Sequence, residues 1–332
     1  MLRIGIDEAG LGPMLGPLVV AGAAFRIADG AGSAAGGAAP FAVDLLGRLS
    51  AAIAAPGRRA AGRIVVGDSK QVYGVTHDLG ALETAVLAFA AVRDGGDGRV
   101  PATLDELHAA VGADSAERHR LPWYAGAAPS LPLRAGRDDV IAAATRLRAA
   151  LDDAGVTFVG FRADVVPETR LNAGLARTEN KSDVLFEHVA GTLDGFLACR
   201  AATESAGVAI DRQGGRRFYL APLLRRWPQC FAWALEESPT LSRYRLGLGD
   251  AEAEVRFVVG GDAEHVEIGL ASMAAKYLRE LHMEVWNAYF ATVCPGVART
   301  AGYTVDARRW LDATRGARLA AGIPDDRLVR AR

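Results

Sequence analysis

The opening of the chain limits the folds that are open to it. Residues 2–7 alternate with a period of two, which predicts a strand, and a break at 10–13 separates them from a second predicted strand at 16–25. The first strand has Leu2, Ile4 and Ile6 on one face and Arg3, Gly5 and Asp7 on the other. The second contains the continuously apolar run Leu18–Ala21. Such a run is typical of a sheet buried on both faces, so the opening predicts a hairpin within a helix-covered sheet.

The periodic pattern then alternates between helix and strand along the chain. Beyond a helical pattern around 41–53, we predict strands at 63–67, 156–163, 208–211 and 255–260, and helices at about 76–92, 138–153, 171–205 and 266–290. This order indicates an α/β fold in which helices flank a mixed sheet. We expect a single domain over 1–332 that ends in a helical segment at about 266–332.

Composition excludes several classes of protein. The 332 residues carry a formal net charge of −1, with 50% hydrophobic and 23% charged residues, which excludes a disordered chain, a collagen-like repeat and a disulfide scaffold. The apolar run at 16–25 has only half of the roughly 20 residues that a membrane span needs, and Asp7 and Glu8 interrupt any signal-peptide core. The three cysteines form no CxxC pair. We therefore expect a cytoplasmic protein without membrane contact.

Acidic residues follow three of the predicted strands. They are Asp7 with Glu8, Asp211 and Asp262. Taken singly, each is a common turn or helix-cap residue, but the strand ends of an α/β sheet are also where sites are built. A cluster of carboxylates without cysteine or histidine favours hard ions such as Mg²⁺ or Mn²⁺. Two ions roughly 3.5–4 Å apart activate water and stabilise a leaving oxygen, so the pattern indicates a nuclease or phosphotransferase.

Five segments, in order along the chain, carry a family resemblance. They are Gly5-Ile6-Asp7-Glu8-Ala9-Gly10-Leu11-Gly12-Pro13-Met14-Leu15-Gly16-Pro17, Asp68-Ser69-Lys70, Ile210-Asp211, Gly261-Asp262 together with 271–280, and Gly302-Tyr303-Thr304. They resemble the motifs of the type 2 ribonucleases H, the ribonuclease HII family. The resemblance implies a ribonuclease H-like mixed five-stranded sheet flanked by helices, with insertions at about 28–62, 93–137 and 214–250. It also implies endonucleolytic hydrolysis of the RNA strand of RNA/DNA hybrids with Mg²⁺ or Mn²⁺.

The resemblance assigns roles to individual residues. The family's catalytic and metal-binding acids match Asp7, Glu8, Asp211 and Asp262, while Glu280 stands where the family usually has Asp. Lys70 and Lys276 fall on family lysine positions, and only three of the 38 Lys and Arg residues of this chain are lysines. Tyr303 matches the tyrosine that stacks at the scissile ribonucleotide. These last three residues are therefore predicted to bind substrate.

The glycine loop departs from the family pattern at one position. Between Gly10 and Gly12 the family has Arg or Lys, which grips a phosphate and 2′-hydroxyls, whereas this chain has Leu11. Leucine donates no side-chain hydrogen bond, although the backbone N–H groups of Gly10 and Gly12 can still approach a phosphate. We therefore expect faster cleavage of continuous hybrids than of isolated ribonucleotides in DNA.

Arginines and aromatic residues follow Asp211 closely. The segment contains Arg212, Arg216, Arg217, Arg225 and Arg226, interleaved with Phe218, Tyr219 and Trp227. They are interpreted either as a basic, base-stacking surface, with Arg216 and Arg217 binding substrate, or as a solvated protein surface. The arginines at the end of the chain, Arg327, Arg330 and Arg332, are predicted to form an exposed tail.

Two functions remain open at this point. The first is a metal-dependent ribonuclease H that acts as a monomer on RNA/DNA hybrids, which the complete acidic set favours. The second is a ribonuclease H-like nucleic-acid-binding protein with altered or lost catalysis, which Leu11 and the insertions favour.

Overall fold

A seven-stranded mixed sheet forms the centre of this computed structural model, which describes residues 1–28, 40–58, 62–76 and 78–331. Its strands are β1 (Leu2–Ala9), β2 (Leu18–Ile27), β5 (Val156–Val166), β6 (Ala206–Asp211), β7 (Ala232–Glu237), β8 (Leu241–Leu248) and β9 (Ala251–Val258). Their order is β5-β2-β1-β6-β9-β8-β7. The short strands β3 (Ile53–Ala54) and β4 (Ile64–Val65) pair separately.

The α/β class and the mixed sheet are confirmed, but the predicted count of five strands is wrong. The two strands that were not predicted, β7 and β8, lie in the insertion at 214–250 and pair with each other antiparallel. The β8 strand in turn pairs with β9, so the insertion extends the sheet at its edge. The parts of the insertion at 28–62 that fall on 29–39 and 59–61 lie outside the described residues.

Helices cover both faces of the sheet. They are α1 (Leu45–Arg48), α2 (Ser69–Thr76), α3 (Gly80–Val92), α4 (Leu104–Ala110), α5 (Ser115–Arg118), α6 (Arg137–Ala154), α7 (Glu168–Thr178), α8 (Lys181–Leu197), α9 (Leu220–Arg226), α10 (Val266–Val293), α11 (Thr304–Ala320) and α12 (Asp325–Leu328). None of the helices in the described ranges has the length and apolar character to cross a membrane.

The helix predicted over 171–205 is divided in the structure. Helix α7 ends before Glu179, which adopts a left-handed conformation at φ 55°. Asn180 then caps α8, because its side chain accepts hydrogen bonds from the N–H groups of Ser182 and Asp183. The polar run at 177–183 interrupts the apolar pattern at this break, and Asn180 within it is a common helix-capping residue.

Both faces of β1 are buried, although one of them is polar. Leu2, Ile4 and Ile6 pack in the apolar core on one side. On the other side α10 lies so close that a Cβ at Gly5 would be 2.1 Å from the carbonyl carbon of Glu267. Glycine is therefore required there, and the polar face of the strand meets a helix instead of solvent.

A buried ion pair fastens β1 to the first turn of α10. Arg3 Nε donates to Glu267 Oε1 at 3.0 Å, and Arg3 and Glu267 are 3% and 0% exposed. The Arg3 guanidinium also donates to the carbonyl oxygens of Pro40 and Val43. Burial alone would raise the pKa of Glu267, but hydrogen bonds from His265 and Arg3 and the Arg3 charge hold it below its usual value. The carboxylate is therefore ionised in the folded protein.

We predict that Glu267→Gln lowers the free energy of unfolding at pH 7 by about 3 kcal/mol, because the Arg3 charge loses its partner. Since the folded-state pKa of Glu267 is depressed, the ion pair stabilises the protein above the unfolded pKa and is lost as pH falls through the folded pKa. The difference between wild type and variant in urea denaturation should shrink with acidification. Glu187→Gln, which breaks an exposed pair with Arg177, is the control and should change stability far less; equal losses in both variants would contradict the prediction.

Candidate active site

Strand register brings two of the predicted acids to neighbouring positions. Strands β1 and β6 are parallel and pair Ile6 with Ile210, so Asp7 and Asp211 are the next residues along each strand. Asp211 also ends β6 beside Val258 of the parallel strand β9. These pairings place both carboxylates at the carboxyl ends of neighbouring central strands, along the same edge of the sheet.

The turn after β9 adds Asp262 to this edge. Gly260 takes a left-handed conformation at φ 65°, and the 3₁₀ turn Gly261–Ala263 follows. The N–H of Gly261 donates to Asp211 Oδ1 at 3.2 Å, which ties the turn to the end of β6. Asp262 therefore lies in the field of Asp211, whose charge is among the causes of its raised pKa.

Asp7 and Glu8 are adjacent residues of β1, and their side-chain carboxyl groups are hydrogen-bonded to each other. The strand continues to Ala9, with Asp7 paired to Ala21 and Glu8 to Val20, and adjacent strand residues alternate between faces. Asp7 lies on the α10 side, where a hydrogen bond from Ser272 contributes to its pKa. Both carboxylates still interact electrostatically with Asp211. The hydrogen bond between them shows that the two side chains nevertheless converge at the end of the strand.

The pKa values of all four acids are raised. Burial is the largest cause in each case. Burial and the Asp211 charge raise the pKa of Glu8 to about 7, and burial with the charges of Asp68 and Asp211 raises that of Asp262 to about 6. Burial, Glu8 and Asp211 raise the pKa of Asp7 well above its usual value. The site thus holds more negative charge than it can easily keep ionised.

Three residues that were not predicted as site residues support the acids. Asp68 forms a side-chain hydrogen bond with Asp262 that contributes to the raised pKa of Asp262. Ser272 of α10 is also hydrogen-bonded to Ser69, with the two hydroxyl oxygens 3.0 Å apart, and both serines are buried. Both segments belong to motifs that were visible in the sequence, but the motifs did not show which of their polar side chains reach the acids.

Lys70 is the cation of this group. Its charge lowers the pKa values of Glu8, Asp211 and Asp262, which opposes the effect of burial. Its side chain is exposed, so it is accessible from outside. The structure therefore brings Lys70 together with the acids.

Lys276 and Glu280 form a separate pair on α10. Lys276 Nζ donates to Glu280 Oε1 at 2.6 Å and lies 4.8 Å from the centre of the Tyr73 ring. Glu280 also pairs with Arg279 at 3.3 Å. Glu280 thus has two cationic partners of its own, and Lys276 has a carboxylate partner before any substrate binds.

The donor chemistry of the acidic group fits a hard divalent ion. The nearby side chains offer carboxylate and hydroxyl oxygens, and a cation would relieve the repulsion that raises their pKa values. Within the described ranges, however, no three acidic, histidine or cysteine side chains lie close enough together to form a metal site.

The glycine loop, residues Gly10–Gly12, adjoins this edge of the sheet. Gly10 has φ 86°, and a Cβ there would be 2.6 Å from Arg279 Nε, so glycine is required on both grounds. Leu11 does not extend into open solvent: it is partly buried against the core that contains Leu2, Ile4 and Ile6. Leu11 therefore anchors the loop to the core.

Tyr303 lies beside the glycine loop. The N–H of Met14 donates to the carbonyl of Gly302 at 2.8 Å, which ties the two motifs together. Tyr303 is 51% exposed, and the Arg279 guanidinium lies 5.5 Å from its ring centre. The ring is therefore available for stacking against a ligand.

The prediction of an exposed arginine tail is wrong for Arg330, which is 3% exposed. Its Nη1 donates to the carbonyl oxygen of Gly10, and its Nη2 donates to that of Leu11 at 3.2 Å. Arg327 is exposed, with its guanidinium 5.9 Å from the Trp123 ring centre, and Arg332 lies outside the described residues. The sequence around Arg330 gave no signal for this contact, because its partners are backbone carbonyls far away in the chain.

The arginines after Asp211 bond largely within the protein. Arg216 pairs with Asp183, Arg226 pairs with Asp194, and Arg217 donates to the carbonyl of Glu237. Of the three interleaved aromatic residues, only Phe218 is well exposed, at 62%, whereas Tyr219 and Trp227 are buried. The segment therefore presents less free basic and aromatic surface than its composition indicated.

Comparison with known proteins gives structural matches only. No family model matches the chain, and no curated protein does. The solved structures that it resembles include RNase HII of Archaeoglobus fulgidus in a complex with PCNA, with 16% identity, 100% of this chain and 95% of that chain covered, and a TM-score of 0.40. Ribonuclease H2 of Pyrococcus horikoshii OT3 shares 14% identity over 99% of this chain and 92% of that one, with a TM-score of 0.40.

A third structure is Bst-RNase HIII in complex with Mn²⁺. It shares 14% identity over 99% of this chain and 66% of that one, with a TM-score of 0.41. All three solved structures are described as ribonucleases H.

We predict that Asp211→Asn raises the free energy of unfolding of the chelator-treated protein at pH 8 by on the order of 1 kcal/mol, because it removes one of several mutually repelling charges. Raised folded-state pKa values mean that the folded protein binds more protons than the unfolded one, so this site loses stability as pH rises through those values. At pH 5 Glu8 and Asp262 are largely protonated, and the gain should be smaller.

Chemical denaturation at both pH values measures this difference. Asp312→Asn, an exposed position on α11, is the matched control and should show no such pH-dependent gain. A variant that is destabilised equally at pH 5 and pH 8 would show that the acids do not repel one another in the folded protein.

Proposed function

We propose that this chain is a metal-dependent endoribonuclease of the ribonuclease H type, which hydrolyses the RNA strand of RNA/DNA hybrids. The observation that carries the proposal is the placement of Asp7 and Asp211 at adjacent ends of parallel strands, with Glu8 and Asp262 in the same field. Burying several carboxylates together costs free energy, and a bound cation offsets that cost because it stabilises their ionised form. The order of the five motifs supports the same function.

The proposed metal ligands are Asp7, Glu8, Asp211 and Asp262, and Mg²⁺ or Mn²⁺ held there would supply an activated water and stabilise the leaving oxygen of a phosphodiester. The hydrogen bond between the Asp7 and Glu8 carboxyl groups supports a shared role of these two residues in one centre. Ser272 orients the Asp7 carboxylate, and the Gly261 N–H orients that of Asp211.

The remaining predicted residues are assigned to substrate binding. Lys70 is exposed beside the acids and is suited to a phosphate of the cleaved strand, as a compact and strongly hydrated cation. Tyr303 offers its exposed ring to a sugar or base, and the glycine loop offers backbone N–H groups to a phosphate. For Lys276 to contact substrate, it must give up or share Glu280, and Arg216 must likewise exchange Asp183 for a phosphate.

The second candidate is a ribonuclease H-like nucleic-acid-binding protein with altered or lost catalysis. The separation of the acidic side chains in the described part of the chain favours this candidate. It predicts hybrid binding without cleavage in either Mg²⁺ or Mn²⁺, so one assay distinguishes the two.

We predict that the purified protein cleaves RNA/DNA hybrid in Mg²⁺ or Mn²⁺, and that Asp7→Asn or Asp211→Asn slows cleavage by more than about a hundredfold, because several kcal/mol of transition-state stabilisation depend on these ligands. Initial rates on hybrid, double-stranded RNA, DNA and DNA with a single ribonucleotide measure the substrate range. Asp312→Asn is the control and should retain the wild-type rate. Full activity in either variant, or activity in excess chelator, would refute the two-metal site.

A further inference from the structure

The two hydrogen bonds of the Arg330 side chain both end on the glycine loop. Nη1 binds the Gly10 carbonyl and Nη2 the Leu11 carbonyl, while Nε is buried without a partner in the described structure. Burial lowers the pKa of Arg330 to about 10, so it is still charged at neutral pH. Because this buried guanidinium donates to two successive carbonyls, it fixes the orientation of the two peptide units that contain them.

That orientation determines where the loop N–H groups point. In a trans peptide the C=O and the following N–H are antiparallel, so the N–H groups of Leu11 and Gly12 are directed away from Arg330. Neither donates a hydrogen bond to another part of the described chain. Gly12 is exposed, and a Cβ there would meet nothing within 4 Å. Two adjacent backbone donors are thus without an acceptor in the described part of the chain.

The segment that carries Arg330 is itself held firmly. Asn172 of α7 donates from Nδ2 to the carbonyl of Val329 at 2.8 Å and accepts from the N–H of Ala331 at 2.7 Å. The N–H of Arg330 donates to the carbonyl of Met14 at 2.9 Å, next to the glycine loop. Asn172 therefore clamps the residues on both sides of Arg330.

Two guanidinium groups lie close to the glycine loop, those of Arg330 and Arg279. Arg279 lies near enough to Arg330 to lower its pKa, whereas Glu168 raises it. Burial raises the pKa of Glu168, which accepts hydrogen bonds from Tyr124 and from the N–H of Gly16. Two guanidinium groups thus lie beside a loop whose outward N–H donors have no acceptor in the described structure. An anionic oxygen would provide that acceptor.

We propose that Arg330 is a positioning residue that holds the glycine loop with the N–H groups of Leu11 and Gly12 turned outward, so that the loop binds a phosphate of the substrate without a cationic side chain at position 11. This inference rests on the proposed function for the identity of the substrate. It assigns to Leu11 the separate task of anchoring the loop in the core. The cation missing from the loop sequence is thereby replaced, from behind the loop, by a residue about 320 positions away in the chain.

Binding of an uncleaved hybrid tests the proposal independently of catalysis. Fluorescence anisotropy with a labelled RNA/DNA hybrid in Mg²⁺, in an Asp211→Asn background, gives Kd as a function of salt. Arg330→Met should weaken binding about tenfold, the value of one hydrogen bond to a charged group, and should reduce the slope of log Kd against log salt by about one phosphate contact. Arg330→Lys should not restore binding, because an ammonium does not match the fixed two-carbonyl geometry.

Two further variants separate positioning from folding. Asn172→Ala releases the clamp while it keeps the guanidinium, and should weaken binding in the same direction without changing the protein's charge. Arg327→Ala removes an exposed arginine three positions away, and should leave both Kd and the salt slope unchanged. Thermal unfolding of each variant verifies that it is folded.

The outcomes distinguish failure of the inference from failure of the proposed function. An unchanged Kd and salt slope in folded Arg330→Met overturns the inference, whether or not the wild type cleaves hybrid. Equal losses in Arg330→Met and Arg327→Ala also overturn it, since they indicate a general charge effect. Weaker binding with a smaller slope in Arg330→Met supports it even if the wild type proves inactive, and a wild type that binds no hybrid refutes both.

Discussion

The burial of several carboxylates close to one another is the constraint on which the rest of this structure depends. Asp7, Glu8, Asp211 and Asp262 are drawn together by strand register and by the turn after β9, and burial raises the pKa of each. Hydrogen bonds from Ser272 and the Gly261 N–H, together with the Lys70 charge, offset part of this cost. Such an arrangement is retained only if the surrounding fold is stable enough to impose it.

The packing of β1 against α10 holds the acids in this arrangement. A strand whose polar face carries Arg3, Gly5 and Asp7 looks half-exposed in the sequence, yet each of these residues has a separate reason to lie against a helix. Arg3 pairs with Glu267, Gly5 admits the helix backbone, and Asp7 meets Ser272. The three contacts lie at every second residue on one face of β1. The packing of α10 against this face therefore also fixes the position of Asp7.

Much of this framework was predictable because it depends on local patterns. The alternation of apolar and polar residues predicted β1, and the continuous apolar run predicted β2. Helical periodicity predicted α10 nearly to its ends. The hairpin β7–β8 was missed because its exposed strand residues, such as Trp233, are stabilised by pairing at the sheet edge and not by a buried apolar face. Arg330 was missed for a similar reason, since its partners are backbone carbonyls at the other end of the chain, and no side-chain pattern reveals them. The family motifs located Asp68 and Ser272, but only the packing of α10 showed that they act on the acids.

Metal binding coupled to proton release tests the central claim most directly. If the four acids form one cation site, Mn²⁺ must displace protons held by the groups with raised pKa values, Glu8 at about 7 and Asp262 at about 6. Calorimetric titration at pH 6.5 in buffers of different ionisation enthalpy should show Mn²⁺ binding with release of protons, with less release at pH 8. Absence of Mn²⁺ binding, or binding without proton release at pH 6.5, would contradict the account.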